Sequence, residues 1–337
     1  MQKTIVFLVL TVFVAAFAMA SGAPEAAPDG ALGGKITLYT SETLTDVQLY
    51  ASQFEKLNPG TTVEIFRLGT TELVARLLAE QEAGETSADV IWFADMALFG
   101  DFAANGDLLS IDPPEAVNIP AQYVYFGGKA YETRLIYQVV AYNTNLIPGG
   151  VRGWADLIEP QWRGKVGSAS PFSSGATLTQ AATLVNDDRF GWDFYEQLAA
   201  NEAVVSGGNG GIATKIASGE FALGLTIDFM ARAQMAQGAP VGYVYQEEGS
   251  LYVPTPIGVL SSTGNPDLAE AFVNYLLSVP GQLQQASRGY LPVNRNVALP
   301  EGMTPADDIG ILTTDWEFML NNREEILTTF GETFGIN

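Results

Sequence analysis

The chain has 337 residues, 47% of them hydrophobic, and its 38 acidic against 16 basic side chains leave a net charge of −22. Such a surface serves solubility and disfavours nucleic acid and anionic membranes as partners. Cysteine and histidine are both absent, which excludes disulfides, thiolate metal sites and a Ser-His-Asp triad.

The first twenty residues read as a secretory signal peptide: Lys3 as the positive region, an apolar run over residues 5–17, and Ala18-Met19-Ala20 as the cleavage site. That run is short for a membrane span, and no later stretch is long and apolar enough for one. Residues 21–34, SGAPEAAPDGALGG, read as a flexible linker. A tether in this place is a lipoprotein feature, but the anchoring cysteine is missing.

From residue 35 the pattern alternates. KITLY (35–39) reads as a strand, and a helix follows from Thr43 with Leu44, Val47, Ala51, Phe54 and Leu57 at helical spacing. Asn58-Pro59-Gly60 stops it. Residues 62–67 read as a second strand, 72–83 as a helix, and DVIWF (89–93) as a buried parallel strand. This is the signature of a βαβ sheet. In such sheets ligands bind beyond the carboxyl ends of the strands. That edge collects Ser41 and Glu42 after Thr40, then Gly69, Thr70 and Thr71, then Asp95 after Ala94. Each residue taken singly also suits a helix cap.

LIYQVVAY (135–142) is a strong strand, and a short helix is expected over 154–158. GKVGSASPFSSGATL (164–178) then runs from a strand through a Ser/Gly turn into a helix from Thr177. Such a turn leaves N–H groups free at the positive end of the helix dipole. Ser173, Ser174, Gly175, Ala176 and Thr177 are therefore candidates to seat a carboxylate, sulfate or phosphate. SGGNGG (206–211) is a further glycine-rich turn before a helix over 212–218. Strands are expected over 221–226, 242–246 and 256–261, with Ile227-Asp228 after the first of them leading into a helix that runs to residue 237. Helices follow to the C-terminus, apart from a loop over 289–300. With no strand after 261, the tail is expected on the first sheet. The result is two α/β lobes, 35–136 with 262–337 and 137–261. They are joined by crossover strands near 137–142 and 255–261, with a ligand cleft between them.

The order and spacing of LYTSETLTDVQLYASQFEKLNPG, GTTELVARLLAEQEAGETSADVIWFAD, AYNTNLIP, GWADLIEPQWRGKVG with SPFSSGATL, GNGGIATKIASGEFALGLTIDF and PTPIGVLSSTGNPDLAEAFVNYLLSVPGQ resemble the ferric-iron-type solute-binding proteins of ABC importers. The resemblance implies a periplasmic, two-lobed type II binding fold. It also implies a monomer with no catalysis, no cofactor and a membrane permease as partner. The iron binders of that family carry adjacent tyrosines after the strand at 221–226, where this chain has Asp228-Phe229. Fe(III) wants phenolate and carboxylate oxygens, so relatives that bind phosphorylated sugars or phosphonates fit better. On that reading the turns take the anionic group. Asp228 and Glu247 or Glu248 then take hydroxyls or an ammonium, and Tyr137 and Tyr245 wall the cleft. The alternatives are ferric iron, held by Glu42, Asp95, Asp228 and Glu247, and a secreted hydrolase using two of Asp89, Asp95, Asp228 and Glu247.

Overall fold

The computed structural model describes residues 32–336; the signal peptide and residues 21–31 of the linker lie outside the described residues. The chain opens with β1 (Gly34–Thr40), α1 (Leu44–Leu57), β2 (Thr61–Arg67), α2 (Thr70–Glu82), β3 (Val90–Trp92) and α3 (Met96–Asn105). β1 pairs in parallel with both β2 and β3. The apolar stripe of α1 buries Val47, Tyr50, Ala51 and Phe54 against this sheet. Gly60, with φ of 92°, supplies the left-handed turn that sends the chain from α1 into β2.

Two short strands follow, β4 (Val124–Tyr125) and β5 (Ala130–Glu132), and then β6 (Tyr137–Asn143) and β7 (Val166–Ser168). Next come α4 (Gly175–Val185), α5 (Gly191–Ala200), β8 (Val204–Val205), α6 (Asn209–Ser218), β9 (Leu223–Ile227), α7 (Asp228–Ala236) and β10 (Val241–Val244). The chain ends with β11 (Leu251–Tyr252), β12 (Pro256–Val259), α8 (Pro266–Leu277), α9 (Val279–Ser287) and α10 (Trp316–Phe334). One sheet has the order β2-β1-β3-β12-β5-β4, and the other β10-β6-β9-β7-β8 with β11 also on β6.

The helices α4 and α6 start two and three residues earlier than the apolar pattern indicates, because their first turns are the Ser/Gly-rich segments themselves. The crossings also differ from expectation. β6 lies inside the second sheet and β12 inside the first, antiparallel to β3 and β5. The chain therefore crosses at residues 133–136 and 253–255.

The tail divides. Phe272 and Leu276 of α8 join the first core, where Phe54 meets Phe272 edge-on at 5.3 Å. α10 does not return to the first sheet. Its stripe of Met319, Ile326 and Phe330 enters the second core beside Leu178 and Leu184 of α4 and Phe194 and Tyr195 of α5. An amphipathic stripe says that a helix must bury one face, not which lobe receives it.

Glu132 fastens the crossings. It is wholly buried. It accepts hydrogen bonds from Thr255 N at 3.1 Å, Thr255 Oγ1 at 3.0 Å, Tyr125 OH at 3.2 Å and Tyr252 OH. Val253 N donates to Ile136 O at 3.0 Å, so the two crossings are bonded to each other. Burial pushes the Glu132 carboxyl up from the ordinary 4.5 to about 7, against the pull of its donors. The folded state thus prefers the protonated form. Its stabilisation is complete below pH 4.5 and is lost as the pH rises through 7. This group alone is expected to cost the protein about 3 kcal/mol over that range. Urea unfolding of the wild type and Glu132→Gln at pH 5 and pH 8 checks it. The wild type should lose more stability on the way up, and parallel losses in both proteins would contradict the assignment.

Candidate functional site

The carboxyl ends of the two sheets face one another across a cavity of about 500 Å³. β1 delivers Ser41, Glu42 and Thr43 to it, and the turn into α1 adds Leu44. β2 delivers Arg67 as its last residue and Thr70 as the first residue of α2. The second lobe supplies Ser173 to Ala176 from the start of α4, Gly208 to Gly211 from the start of α6, and Phe229 and Met230 from α7.

Each wall is fixed locally. Thr40 Oγ1 donates to Trp92 O at 2.7 Å and accepts from Glu42 N at 3.1 Å, which sets the first turn. Thr70 Oγ1 donates to Ser41 Oγ at 2.9 Å. Ser174 caps α4 by accepting from Thr177 N at 3.2 Å, and its hydroxyl also accepts from Asn209 Nδ2 at 2.9 Å. That bond ties the first turns of α4 and α6 together. The N–H groups of Gly175, Ala176, Asn209 and Gly210 stand at helix starts, where the helical ladder provides no acceptor. Two dipole ends therefore point at one space. Arg67 reinforces them from the opposite lobe; its Nε donates to Glu42 O at 3.2 Å while the side chain stays exposed.

Glu42 is the carboxylate among the lining residues, and it is paired. Its Oε2 accepts from Arg134 Nη2, and the Arg134 guanidinium lies 4.6 Å from the Trp92 ring centroid and 4.3 Å from that of Tyr290. Burial pushes the Glu42 carboxyl up, and Arg134 opposes the shift. The cavity thus presents donors and hydroxyls, with its one negative charge neutralised from beneath.

The structure brings together Ser41, Glu42, Thr70, Ser173, Ser174, Gly175 and Ala176 of the expected residues, and commits the others elsewhere. Thr71 Oγ1 donates to Pro171 O at 2.9 Å, across the lobes. Gly69 abuts Ser173, whose carbonyl oxygen would lie 2.7 Å from a Cβ added at that glycine. Thr177 is fully buried behind its own cap.

Asp95 is withdrawn from the cleft. It caps α3 through Leu98 N at 3.1 Å and pairs with Arg323 of α10. Asp228 is buried and saturated, accepting from Tyr137 N at 3.2 Å, Phe229 N at 2.8 Å, Tyr245 OH at 3.1 Å and Arg232 Nη2 at 2.8 Å. That network also takes Tyr137 and Tyr245 off the cleft wall; their rings meet edge-on at 5.8 Å. Glu247 is exposed on its turn, where its N–H donates to Arg152 O at 3.1 Å. Asp89 accepts from Thr37 N and Thr263 Oγ1, both at 2.7 Å. None of Asp89, Asp95, Asp228 and Glu247 lines the cavity, so no pair of them faces a substrate there.

Sequence reasoning missed Arg67, Asn209 and Met230. Arg67 was readable as the last residue of a strand whose carboxyl end forms the site. Asn209 lay in a segment recognised only as a glycine-rich turn.

Residues 50–311 match the family described as bacterial extracellular solute-binding protein. A gamma-aminobutyric acid-binding protein of Pseudomonas aeruginosa is 25% identical over 359 aligned residues, covering 98% of this chain and 97% of that one. The periplasmic binding protein AfuA from Actinobacillus pleuropneumoniae, solved with exogenous fructose-6-phosphate, superposes with a TM-score of 0.79 at 21% identity, over 90% of this chain and 99% of that one. Iron-bound HitA from Pseudomonas aeruginosa superposes with a TM-score of 0.76 at 20% identity, over 89% and 99% of the two chains. The lobes, the crossings and the cleft are those of the type II periplasmic binding fold, and the chain belongs to the bacterial extracellular solute-binding proteins, the solute-binding components of ABC importers.

Proposed function

We propose that the captured solute is a small organic anion of the phosphorylated-sugar or phosphonate type. Its anionic group sits against the first turns of α4 and α6 and the Arg67 guanidinium. The lobes close on it about residues 133–136 and 253–255, and the closed monomer docks on a membrane permease. The observation that carries the reading is the convergence of two helix starts and one arginine on a cavity whose carboxylate already has a partner. AfuA, with its bound fructose-6-phosphate, supports the solute class. A hard ferric ion wants several anionic oxygens. Among the described residues no group of three or more His, Cys, Asp or Glu side chains stands ready to hold a metal ion.

Thermal shift against fructose 6-phosphate, 2-aminoethylphosphonate, inorganic phosphate, γ-aminobutyrate and ferric citrate tests this. A specific solute at one thousand times its Kd adds about 4 kcal/mol of stability. The expected result is a shift with a phosphorylated or phosphonylated organic compound, weakened about tenfold in affinity by Arg67→Gln through loss of a charge-assisted hydrogen bond. A shift with ferric citrate alone, or with γ-aminobutyrate alone, overturns the assignment.

A further inference from the structure

The cleft does not end at the first cavity. A second chamber of about 550 Å³ adjoins it, and the two share Thr43, Gly210, Phe229 and Met230 as common wall. On one side it is bounded by α7 of the second lobe, with Ala233 and Gln234, and on the other by the end of α9 in the first lobe, with Arg288.

Two arginines border this chamber, and their bonding separates their roles. Arg232 is spent. Its Nη2 donates to Asp228 Oδ2 and Gly289 O, both at 2.8 Å, its Nε to Gly289 O at 3.0 Å, and its Nη1 to the hydroxyls of Tyr243 and Tyr245 at 3.1 and 3.3 Å. It is a strut between the lobes. Arg288 differs. It bonds through Nε alone, to Asp46 Oδ1 at 2.6 Å, which leaves the Nη1–Nη2 edge without an acceptor among the described residues. That pair is lopsided towards solvent: the arginine side chain is 45% exposed and the aspartate 4%. The other Asp46 oxygen accepts from Tyr290 OH at 3.0 Å, so the carboxylate is occupied on both sides. Arg288 thus brings to the chamber's wall a guanidinium with a free fork, a geometry that matches carboxylate or phosphate.

We infer that the solute spans both chambers and carries a second anionic group, a carboxylate or a phosphate, that Arg288 receives. This rests on the reading of the first chamber as the seat of an anionic group, and it narrows the solute to a compound charged at both ends. Phe229 and Met230, common to both chambers, would line its middle.

Calorimetric titration of fructose 6-phosphate, fructose 1,6-bisphosphate and 6-phosphogluconate into the wild type, Arg288→Gln and Gln234→Glu tests the inference. Asp46 keeps its Tyr290 partner in the first variant. The second leaves the Asp46 pair intact and places a negative charge in the chamber. The expected result is that one of the doubly charged compounds binds the wild type at least tenfold tighter than the monophosphate. That ratio should fall towards one in both variants. Equal affinities in the wild type, or a ratio that survives both substitutions, overturns the second anionic group and leaves the first chamber standing. No binding of any of the three overturns this inference, and absence of binding by 2-aminoethylphosphonate as well overturns the reading of the first chamber.

Discussion

Gly175→Ala is expected to leave a folded protein that has lost most of its affinity for solute. Gly175 opens α4 in the second lobe and faces the first lobe directly. A Cβ there would overlap the Ala94 carbonyl oxygen and lie 2.7 Å from Thr70 Cγ2. Both obstacles belong to the opposite lobe, and one of them is backbone. Parting the lobes removes the clash, whereas no rotamer change does. Within the second lobe the substitution is benign, since alanine suits a helix better than glycine. Overpacking of this kind costs up to about 3 kcal/mol. Charged wholly to the closed state, it lowers the population competent to enclose solute, and the apparent affinity with it, by about a hundredfold.

Titration calorimetry beside urea unfolding separates the two quantities. Affinity should collapse while the unfolding free energy stays near that of the wild type. Gly69→Ala repeats the test from the other lobe, where a Cβ would lie 2.7 Å from Ser173 O. Gly264→Ala is the control, because that glycine lines neither chamber of the cleft and its Cβ would meet nothing within 4 Å. Binding by Gly175→Ala within threefold of the wild type would show that the contact is not a closure contact.

Arg134→Met is expected to be the most damaging single change to stability. The guanidinium is 1% exposed, lies against Trp92 and Tyr290, and neutralises Glu42. Removing it strands a buried carboxylate, a loss of about 3–5 kcal/mol. The penalty should depend on pH with a definite sign. Burial already pushes the Glu42 carboxyl up, and without Arg134 only the weaker pull of Arg67 opposes it. The variant should therefore be relatively more stable in acid, where Glu42 is protonated, and lose stability as the pH rises through the raised value. The double variant Arg134→Met with Glu42→Gln should recover most of the loss, since replacing a buried pair by neutral groups is often close to neutral. A single-variant loss below about 1 kcal/mol, the scale of a surface pair, would remove Arg134 from the foundations of the site.

The site's location was legible because it follows from local rules. Strands followed by small polar turns and helices put Ser41, Thr70 and Ser173 to Ala176 at one edge, and the structure assembles them there. What resisted was the choice each carboxylate makes among partners. Asp228 and Arg232 stand four residues apart on one helix, a spacing that announces their pairing. For Asp95 the partner is Arg323, 228 residues away, and no local rule links them. α10 posed the same difficulty on a larger scale, since its apolar stripe fits either lobe until tertiary packing decides. The strands β4, β5, β8 and β11, of two or three residues each, are shorter than any periodicity can register.

The bond between Val253 and Ile136 has a mechanical consequence. Two separate single-strand connections would act as a ball joint, free to twist as well as swing. Laced into a ribbon and riveted at one end by Glu132 to Thr255, they act as a door hinge with a single stiff axis. On the proposed closure, an opened protein would then move along one arc instead of through a cone of orientations. Little rotational freedom remains to be surrendered when the lobes shut, and more of the solute's contact energy survives as affinity.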